Sequence, residues 1–257
     1  MPVASSASLS PWHGFTRGPS AGNFLHDQLE WLAADGFALQ AGTPTAERLA
    51  KRCERAGFKG QANDVVTWLA RVVAQPLRGP GVPLNALQNL LPEMEFWLPA
   101  DRLHAREIDA LCQQHLLPGV SRPQLPDAQL HGMLMGFADL VFEHEGRYWV
   151  LDYKSNHLGT DDAAYTAEAL DKAMAHSRYE VQAALYMLAL HRLLRARLGA
   201  AYQPAQHLGG AVYLFLRGID GPVGGCCTLT APVALLNGLD DMLGHHNVAA
   251  AQPGEAA

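Results

Sequence analysis

The sequence predicts an α/β fold in which helices flank a central mixed β-sheet. Three observations support this prediction. Apolar residues at helical spacing dominate the first third of the chain, two β-rich runs around a short turn follow at 135–154, and a helix, a strand and a helix then alternate to about residue 246. This order of elements is typical of a sheet with helices packed on its faces.

Three helices are predicted before the first strand. Residues 1–20 are rich in Ser, Pro and Gly without periodicity, so they are expected to form a linker or a disordered start. Helical periodicity then begins at Gly22 and recurs over 45–57 and 63–75. The expected N-cap is Thr45 for the helix over 45–57, and Asn63 or Asp64 for the helix over 63–75.

The remaining elements follow from turn signals and periodicity. A short strand is predicted over 94–98 because Pro92 and Pro99 bound it, and a Pro-rich loop is expected over 116–130. The clearest signal is a hairpin of 135–142 and 148–154 around a Glu-Gly turn. The later elements are helices within 161–199 with a break near His176-Ser177, a strand over 210–216, a helix over 232–246 and a frayed tail over 248–257.

Length and composition are those of one globular domain, expected over residues 21–247. The chain has 257 residues, of which 49% are hydrophobic, and a formal net charge of −6. This length is sufficient for a real hydrophobic core. The negative charge argues against a protein that holds nucleic acid by bulk positive charge, although it leaves open an enzyme that meets DNA at one local site.

Cysteine usage and the N-terminus indicate a reduced, cytoplasmic protein. The four cysteines form no C-x-x-C pair, which argues against a disulfide framework and a zinc knuckle. The first residues lack a basic segment followed by an apolar one, so no signal peptide is expected. No apolar run reaches the ~18 residues that a membrane span needs, and no membrane partner is expected.

The predicted hairpin brings together two acids and a lysine. If the turn is centred between Glu145 and Gly146, facing residues have numbers that sum to 291, and Asp139 faces Asp152. Strand alternation places Lys154 on the same face as Asp152. Two adjacent carboxylates repel, so one takes up a proton or a cation lies between them.

This arrangement suits hydrolysis of a phosphodiester. Mg²⁺ prefers carboxylate oxygens, polarises a phosphodiester and lowers the pKa of a bound water. A neighbouring lysine stabilises charge that develops on the phosphate. The alternative is an Asp–Lys salt bridge on a solvated strand face, and the hairpin alone leaves both interpretations open.

The hairpin sequence GFADLVFEHEGRYWVLDYKSNHLG resembles the nuclease motif of the RecB subunit of the RecBCD enzyme (exonuclease V), a branch of the PD-(D/E)XK nuclease superfamily. The segments AGNFLHDQLE, MEFWLP, YEVQAALYMLALHRLLRARL and GGAVYLFLRG resemble the C-terminal nuclease domain of that subunit in the same order, so the resemblance covers about residues 15–245. Two details depart from the superfamily name: Ala precedes Asp139, and the acid before Lys154 is Asp152. The resemblance implies a restriction-endonuclease-like core.

The resemblance also implies residue roles. Asp139 and Asp152 match metal-binding carboxylates, and Lys154 matches the catalytic lysine. The other matched residues are His26 and the Tyr153 carbonyl as metal ligands, Glu95 as an acid near the metal, and Gln182 and Tyr186 as a Q-x-x-x-Y motif that supports the site or contacts DNA. Without the resemblance, His26 on an apolar helix is more typical of a core histidine than of a metal ligand. The Q-x-x-x-Y pair is likewise more typical of packing with one hydrogen bond on a helix face.

The implied activity is that of an exodeoxyribonuclease. It would hydrolyse single-stranded or helicase-unwound DNA with one or two Mg²⁺ ions, or Mn²⁺, in double-strand-break repair and recombination. The implied partners are DNA, RecC-like and RecD-like subunits and a RecA-type recombinase. The chain lacks a G-x-x-x-x-G-K-[ST] sequence, so no ATP site or helicase motor is expected. The cysteine spacing predicts no iron–sulfur cluster.

Two other functions are compatible with the same fold. One is a recruitment module that docks a RecA-type recombinase or a RecC-like partner without cutting DNA. The other is a restriction or transposon-type endonuclease, which the absence of a zinc finger or a basic helix disfavours.

Overall fold

The computed structural model describes residues 10–243. The helices in this range are α1 (Pro19–Ala33), α2 (Pro44–Arg55), α3 (Ala62–Ala74), α4 (Ala105–His115), α5 (Ala167–His176), α6 (Tyr179–Leu198), α7 (Pro204–His207) and α8 (Val233–Met242). The strands are β1 (Asn89–His104), β2 (Gln129–His144), β3 (Arg147–Lys154), β4 (Leu208–Phe215) and β5 (Cys226–Leu229). Across these residues, no helix combines the length and apolar character that crossing a membrane requires.

The strands form one mixed sheet in the order β1-β2-β3-β4-β5. The β3–β4 pair is parallel and the other pairs are antiparallel. The β2–β3 ladder runs from His144 opposite Arg147 to Leu140 opposite Leu151, so facing residues sum to 291 as predicted. The predicted fold class, an α/β protein with helices around a mixed sheet, is confirmed.

Side-chain alternation in the hairpin divides the core into two layers. Leu140 and Leu151 enter a buried cluster with α1, α2 and α3 on one face of the sheet. Val141 and Val150 enter a second cluster with α4, α5, α6 and α8 on the other face. Each fully buried aliphatic side chain contributes about 1.5–3 kcal/mol relative to exposure. The paired part of the hairpin around these residues is therefore covered on both faces of the sheet.

The first strand is longer than the sequence indicates. Pro92 and Pro99 were expected to bound a short strand, but both lie inside β1, opposite Leu140 and Met133. This prediction is wrong because β1 is an edge strand, where a residue without an N–H is tolerated. Three further elements, α4, α7 and β5, have no counterpart in the prediction.

The start of the described chain packs into the core. Trp12 and Phe15 are buried, and Pro11–Gly14 form a 3₁₀ turn. The prediction of a linker is therefore wrong for residues 10–20, because the contacts that order this segment come from the distant end of β4. Residues 1–9 and the predicted tail at 248–257 lie outside the described residues.

Helix starts differ slightly from the predicted caps. The N-cap of α2 is Thr43, whose hydroxyl accepts a hydrogen bond from the Ala46 N–H, and Pro44 occupies the first helical position. Gln61, rather than Asn63 or Asp64, is the N-cap residue of α3. The N-caps move by two or three residues, and the helices themselves are confirmed.

The break between α5 and α6 is confirmed, and it forms a buried ion cluster. Arg178 precedes α6 with a φ of 57°, in the left-handed region. Its guanidinium donates to Asp109 at 2.5 Å and to Glu180 at 2.8 Å. The Arg122 guanidinium lies 3.3 Å from the Glu180 carboxylate, which is fully buried. These ion pairs join α4, α6 and the loop after α4.

A second set of ion pairs predicts how stability depends on pH. Burial opposes ionisation of Asp240 in α8, but hydrogen bonds from Arg195 and Arg192 outweigh it and lower its pKa. Because the pKa of Asp240 is lower in the folded state than its unfolded value of about 3.9, the ionised carboxylate stabilises the protein at pH values above about 3.9. This stabilisation is lost as the pH falls through the folded-state pKa. Urea unfolding between pH 3 and 7 is expected to show a fall in the free energy of unfolding towards low pH. The Asp240→Asn variant is expected to show a smaller dependence of that free energy on pH. If Asp240→Asn and the exposed control Asp35→Asn give the same pH profile, the prediction is wrong.

Candidate active site

The candidate site lies where β2 and β3 separate. The ladder ends at Leu140 and Leu151, one residue before the two aspartates that were predicted to face each other. The Asp139 carboxylate instead accepts a hydrogen bond from the Tyr153 N–H at 2.7 Å. A side chain thus replaces a backbone acceptor, and the strands part at the two acids.

Asp152 is buried in an unfavourable electrostatic environment. Its residue is 3% exposed, and Oδ2 lies 2.6 Å from Lys154 Nζ without forming an aligned hydrogen bond to any described group. Burial and then the negative charge of Asp139 raise the pKa of Asp152 to about 6, although Lys154 opposes this shift. A buried carboxylate beside a second carboxylate favours a proton or a cation at this point.

Lys154 is held by polar and aromatic groups of α6 and its flanks. Its side chain is 11% exposed, and Nζ donates to Gln182 Oε1 at 3.2 Å. Gln182 Nε2 donates to the Tyr186 hydroxyl at 2.7 Å, and that hydroxyl donates to the Phe137 carbonyl at 2.6 Å. Nζ also lies 4.0 Å from the centre of the Tyr179 ring. These hydrogen bonds connect Lys154 to Phe137 in β2, which lies two residues before Asp139.

His26 reaches the site from α1. Its Nδ1 lies 3.3 Å from Asp139 Oδ2, and its ring meets the Tyr153 ring edge to face at 6.0 Å. Burial lowers the pKa of His26, but the hydrogen bond and charge of Asp139 outweigh burial and raise it overall. The imidazole must lose its Nδ1 proton before that nitrogen coordinates a metal.

Two cavities adjoin these side chains. The larger, about 730 Å³, is lined by His26, Tyr153 and Lys154 together with residues of the α1 start and the loop after β3. We call it the groove. The smaller, about 80 Å³, is lined by acids that include Glu30, Glu93 and Asp139.

The donor set fits a hard divalent cation. Carboxylates, an imidazole and a backbone carbonyl are suitable ligands, and Asp152 Oδ2 is a buried oxygen that accepts no hydrogen bond from any residue between 10 and 243. Within the described range, no three His, Cys, Asp or Glu side chains are gathered as a metal-binding group. Asp139 is engaged by the Tyr153 N–H and His26, and Asp152 by Lys154. Metal binding therefore competes with these contacts.

The structure does not bring Glu95 to this cluster. Glu95 is exposed on β1 opposite Phe137, and its carboxylate accepts a hydrogen bond from Trp97 Nε1 at 3.0 Å. Glu93 instead lines the small cavity with Asp139. Glu93 is not recognisable from its local sequence, because the pairing of β1 with β2 is the signal that places it next to Asp139.

Two tyrosines at the site were also missed. Tyr213 lies beside Asp152 in the parallel β3–β4 ladder, and its hydroxyl donates to Gln182 Oε1 at 3.1 Å. Tyr179 stacks on Tyr213 with ring centres 6.0 Å apart. A parallel register between YWVLDYK and GAVYLFL would have indicated Tyr213, since both runs end at the same edge of the sheet.

Comparison with known proteins agrees with this geometry. The family model of the PD-(D/E)XK nuclease superfamily matches residues 7–240, and the chain belongs to this superfamily. It is a nuclease of this type, and such nucleases generally use divalent metal ions such as Mg²⁺. The predicted resemblance to RecB is confirmed.

The chain is similar to the RecBCD enzyme subunit RecB of several bacteria. Identity to the Escherichia coli K12 protein is 43% over 246 residues, which cover 93% of this chain and 20% of that subunit. The Haemophilus influenzae protein is 37% identical over 87% of this chain and 18% of its own length. The Mycobacterium tuberculosis H37Rv protein is 48% identical over 46% of this chain and 12% of its own. The chain thus spans about a fifth or less of the length of these relatives.

Proposed function

We propose that this chain is the nuclease module of a RecB-like exodeoxyribonuclease of the exonuclease V type. It hydrolyses phosphodiester bonds of single-stranded or helicase-unwound DNA with Mg²⁺, in double-strand-break repair and recombination. The observation that supports this most directly is the grouping of Asp139, Asp152 and Lys154 at the open end of a buried hairpin. Burying apolar side chains there would cost less free energy than burying two neighbouring acids, of which Asp152 is 3% exposed.

The metal would be held by oxygen and nitrogen donors of three elements. Asp139, Asp152 and His26 supply side chains, and Tyr153 supplies its backbone carbonyl, for one or two Mg²⁺ ions or for Mn²⁺. When bound, the ion polarises the phosphodiester and lowers the pKa of a coordinated water.

Lys154 is assigned the role of stabilising charge on the phosphate. Its ammonium lies at the floor of the groove, with two fixed partners, Asp152 and Gln182. Gln182 and Tyr186 act as positioning residues, since they hold Nζ through a continuous hydrogen-bonded chain to β2. A preorganised cation reduces the cost of reorganisation as charge develops.

The proposed partner proteins and cellular location follow from the relatives rather than from contacts within this chain. RecC-like and RecD-like subunits would deliver unwound DNA in the cytoplasm, as the RecBCD enzyme named for the relatives suggests. A RecA-type recombinase is a further proposed partner.

Cleavage of linear single-stranded DNA tests the function. With Mg²⁺ the wild type is expected to cut, and EDTA or Asp152→Ala is expected to abolish cutting, because the variant removes a carboxylate ligand. Asp35→Ala, which removes an exposed carboxylate, is the matched control and should cut like the wild type. Cutting by Asp152→Ala at the wild-type rate would overturn the assigned site. No cutting by the wild type, with Mg²⁺ binding still detected by calorimetry, would favour the second candidate.

The second candidate is a recruitment module, and an exposed apolar strip favours it. Trp97, Met133, Met135 and Phe137 lie along β1 and β2 and are 46–54% exposed. Exposed apolar patches of this kind mark interaction surfaces. A pull-down with a RecA-type recombinase distinguishes the candidates: binding that survives Asp152→Ala while cleavage is lost would show two separable functions.

A further inference from the structure

Arg17 is a cation at the groove that the proposed mechanism does not use. It is exposed at the end of the loop that leads into α1, and it lines the groove with Lys154. Among the described residues it forms no ion pair, whereas Arg71, Arg106 and Arg178 each face a carboxylate. An arginine is always charged and presents a planar fork that suits phosphate oxygens.

A buried arginine holds the segment that carries Arg17. Arg217 is 1% exposed and faces no carboxylate among the residues described. Backbone carbonyls accept its N–H groups, namely those of Trp12 at 2.5 Å, Thr16 at 3.0 Å, and Phe15 and Ser155 at 3.2 Å. One guanidinium thus joins the loop before Arg17 to the residue after Lys154.

Close packing and an indole hydrogen bond also hold the loop before Arg17 against the segments that follow β3 and β4. Trp12 Nε1 donates to the Arg217 carbonyl at 3.1 Å, and the Arg217 guanidinium lies over the Trp68 ring at 5.5 Å. A Cβ placed on Gly22 would lie 2.9 Å from Ser155 Oγ, so α1 approaches the end of β3 closely. Buried contacts therefore anchor the backbone before Arg17 to the end of β3.

The rest of the groove suits a phosphate-bearing strand. Asn23, Asn156 and His157 line it, and the buried Nε2 of His157 has no hydrogen-bond partner among the described residues. Asp27 is the one carboxylate in its lining. Neutral hydrogen-bonding groups that line the same groove as two cations match a backbone that alternates phosphate and sugar.

We infer that Arg17 binds a backbone phosphate of the substrate strand next to the phosphate held at Lys154, and that Arg217 is its positioning residue. The inference rests on the proposed nuclease function, and it names the strand path along the groove. Contacts to phosphate fix the register of a strand without reading its sequence, so this site accepts single-stranded DNA of any sequence.

Arg17→Ala tests the phosphate contact. Fluorescence anisotropy of a labelled single-stranded oligonucleotide, in EDTA over a salt series, reports binding without cleavage. Loss of one phosphate contact is expected to weaken binding about tenfold, and to reduce the slope of log K against log salt by about 0.7. In Mg²⁺ the KM is expected to rise about tenfold with little change in kcat, because Arg17 does not contact the reacting phosphate.

Two variants serve as comparisons. Arg17→Lys keeps the charge and is expected to restore the salt slope but only part of the affinity, since the planar fork is lost. Arg55→Ala removes an exposed arginine of α2 outside the groove lining and is expected to behave as wild type.

The possible outcomes separate this inference from the proposed function. If Arg17→Ala matches Arg55→Ala in salt slope and KM while both cut DNA, the phosphate contact is overturned and the nuclease function stands. A fall in kcat at unchanged KM also overturns it. Failure of the wild type to bind single-stranded DNA at low salt overturns it as well. Loss of cleavage alone bears on the proposed function, because the binding series in EDTA still measures the Arg17 contact.

The positioning role of Arg217 has its own test. Arg217→Lys, with folding verified by circular dichroism, is expected to raise KM in the same direction as Arg17→Ala. The double variant is expected to be no worse than Arg17→Ala alone, because a residue that acts through Arg17 adds nothing once Arg17 is gone. Additive effects in the double variant would overturn the positioning role.

Discussion

Replacing Lys154 by alanine is expected to lower the rate of DNA cleavage by about 10²–10³-fold. The ammonium that faces the groove disappears, and Gln182 loses the group it orients. The effect belongs to the chemical step, so single-turnover cleavage of single-stranded DNA in saturating Mg²⁺ is the measurement that isolates it.

The Lys154→Ala protein is expected to remain folded. The pKa of Asp152 is already raised to about 6 by burial and by Asp139, and loss of the lysine raises it further. The carboxyl group then takes up a proton at neutral pH, which avoids an unpaired buried charge. Lys172→Ala, which removes an exposed lysine paired with Glu168, is the matched control. Cleavage by Lys154→Ala at the rate of that control would show that the lysine has no catalytic role.

Glu180→Ala is expected to give the largest loss of stability, about 3–5 kcal/mol of the free energy of unfolding. The Glu180 carboxylate is fully buried between Arg122 and Arg178. Its removal leaves the buried Arg122 guanidinium without a counter-charge and leaves Arg178 with Asp109 alone. For a domain of this size the melting temperature is expected to fall by about 2–4 °C per kcal/mol. Calorimetric and urea-unfolding experiments measure both quantities.

An exposed glutamate provides the control for that experiment. Glu168 forms an i,i+4 ion pair with Lys172 on the surface of α5, and Glu168→Ala is expected to melt at the wild-type temperature. Equal melting temperatures for Glu180→Ala and Glu168→Ala would mean that solvent reaches the ion cluster and replaces the lost carboxylate.

The sequence predicted the parts of the site that are close together along the chain. Asp139, Asp152 and Lys154 belong to one hairpin, and its two-residue turn sets the register of the strands as far as Leu140 opposite Leu151, directly before the two acids. Gln182 and Tyr186 belong to one helix, where residues four apart share a face. Their joint hydrogen-bonded chain to Lys154 and β2 confirms that the structure brings these residues together.

Features that depend on distant pairing could not be read from the sequence. The placement of Glu93 rather than Glu95 beside Asp139 follows from the β1–β2 register, which joins segments about 40 residues apart in the chain. The burial of Trp12 depends on Arg217, 205 positions away. Local composition describes such a segment as a linker, because Pro and Gly give no periodicity and the stabilising partner lies elsewhere.

The Arg217 contacts also set the order in which the site is completed. Asp139, Asp152 and Lys154 are synthesised well before residue 217, yet the loop that carries Arg17 acquires its anchor only when that residue is in place. Contacts between such distant positions form late, since the long loop between them must first be closed. A partly synthesised chain therefore has its acids and its lysine before the groove is complete, and we expect the proposed binding of a DNA strand only once residue 217 is in place.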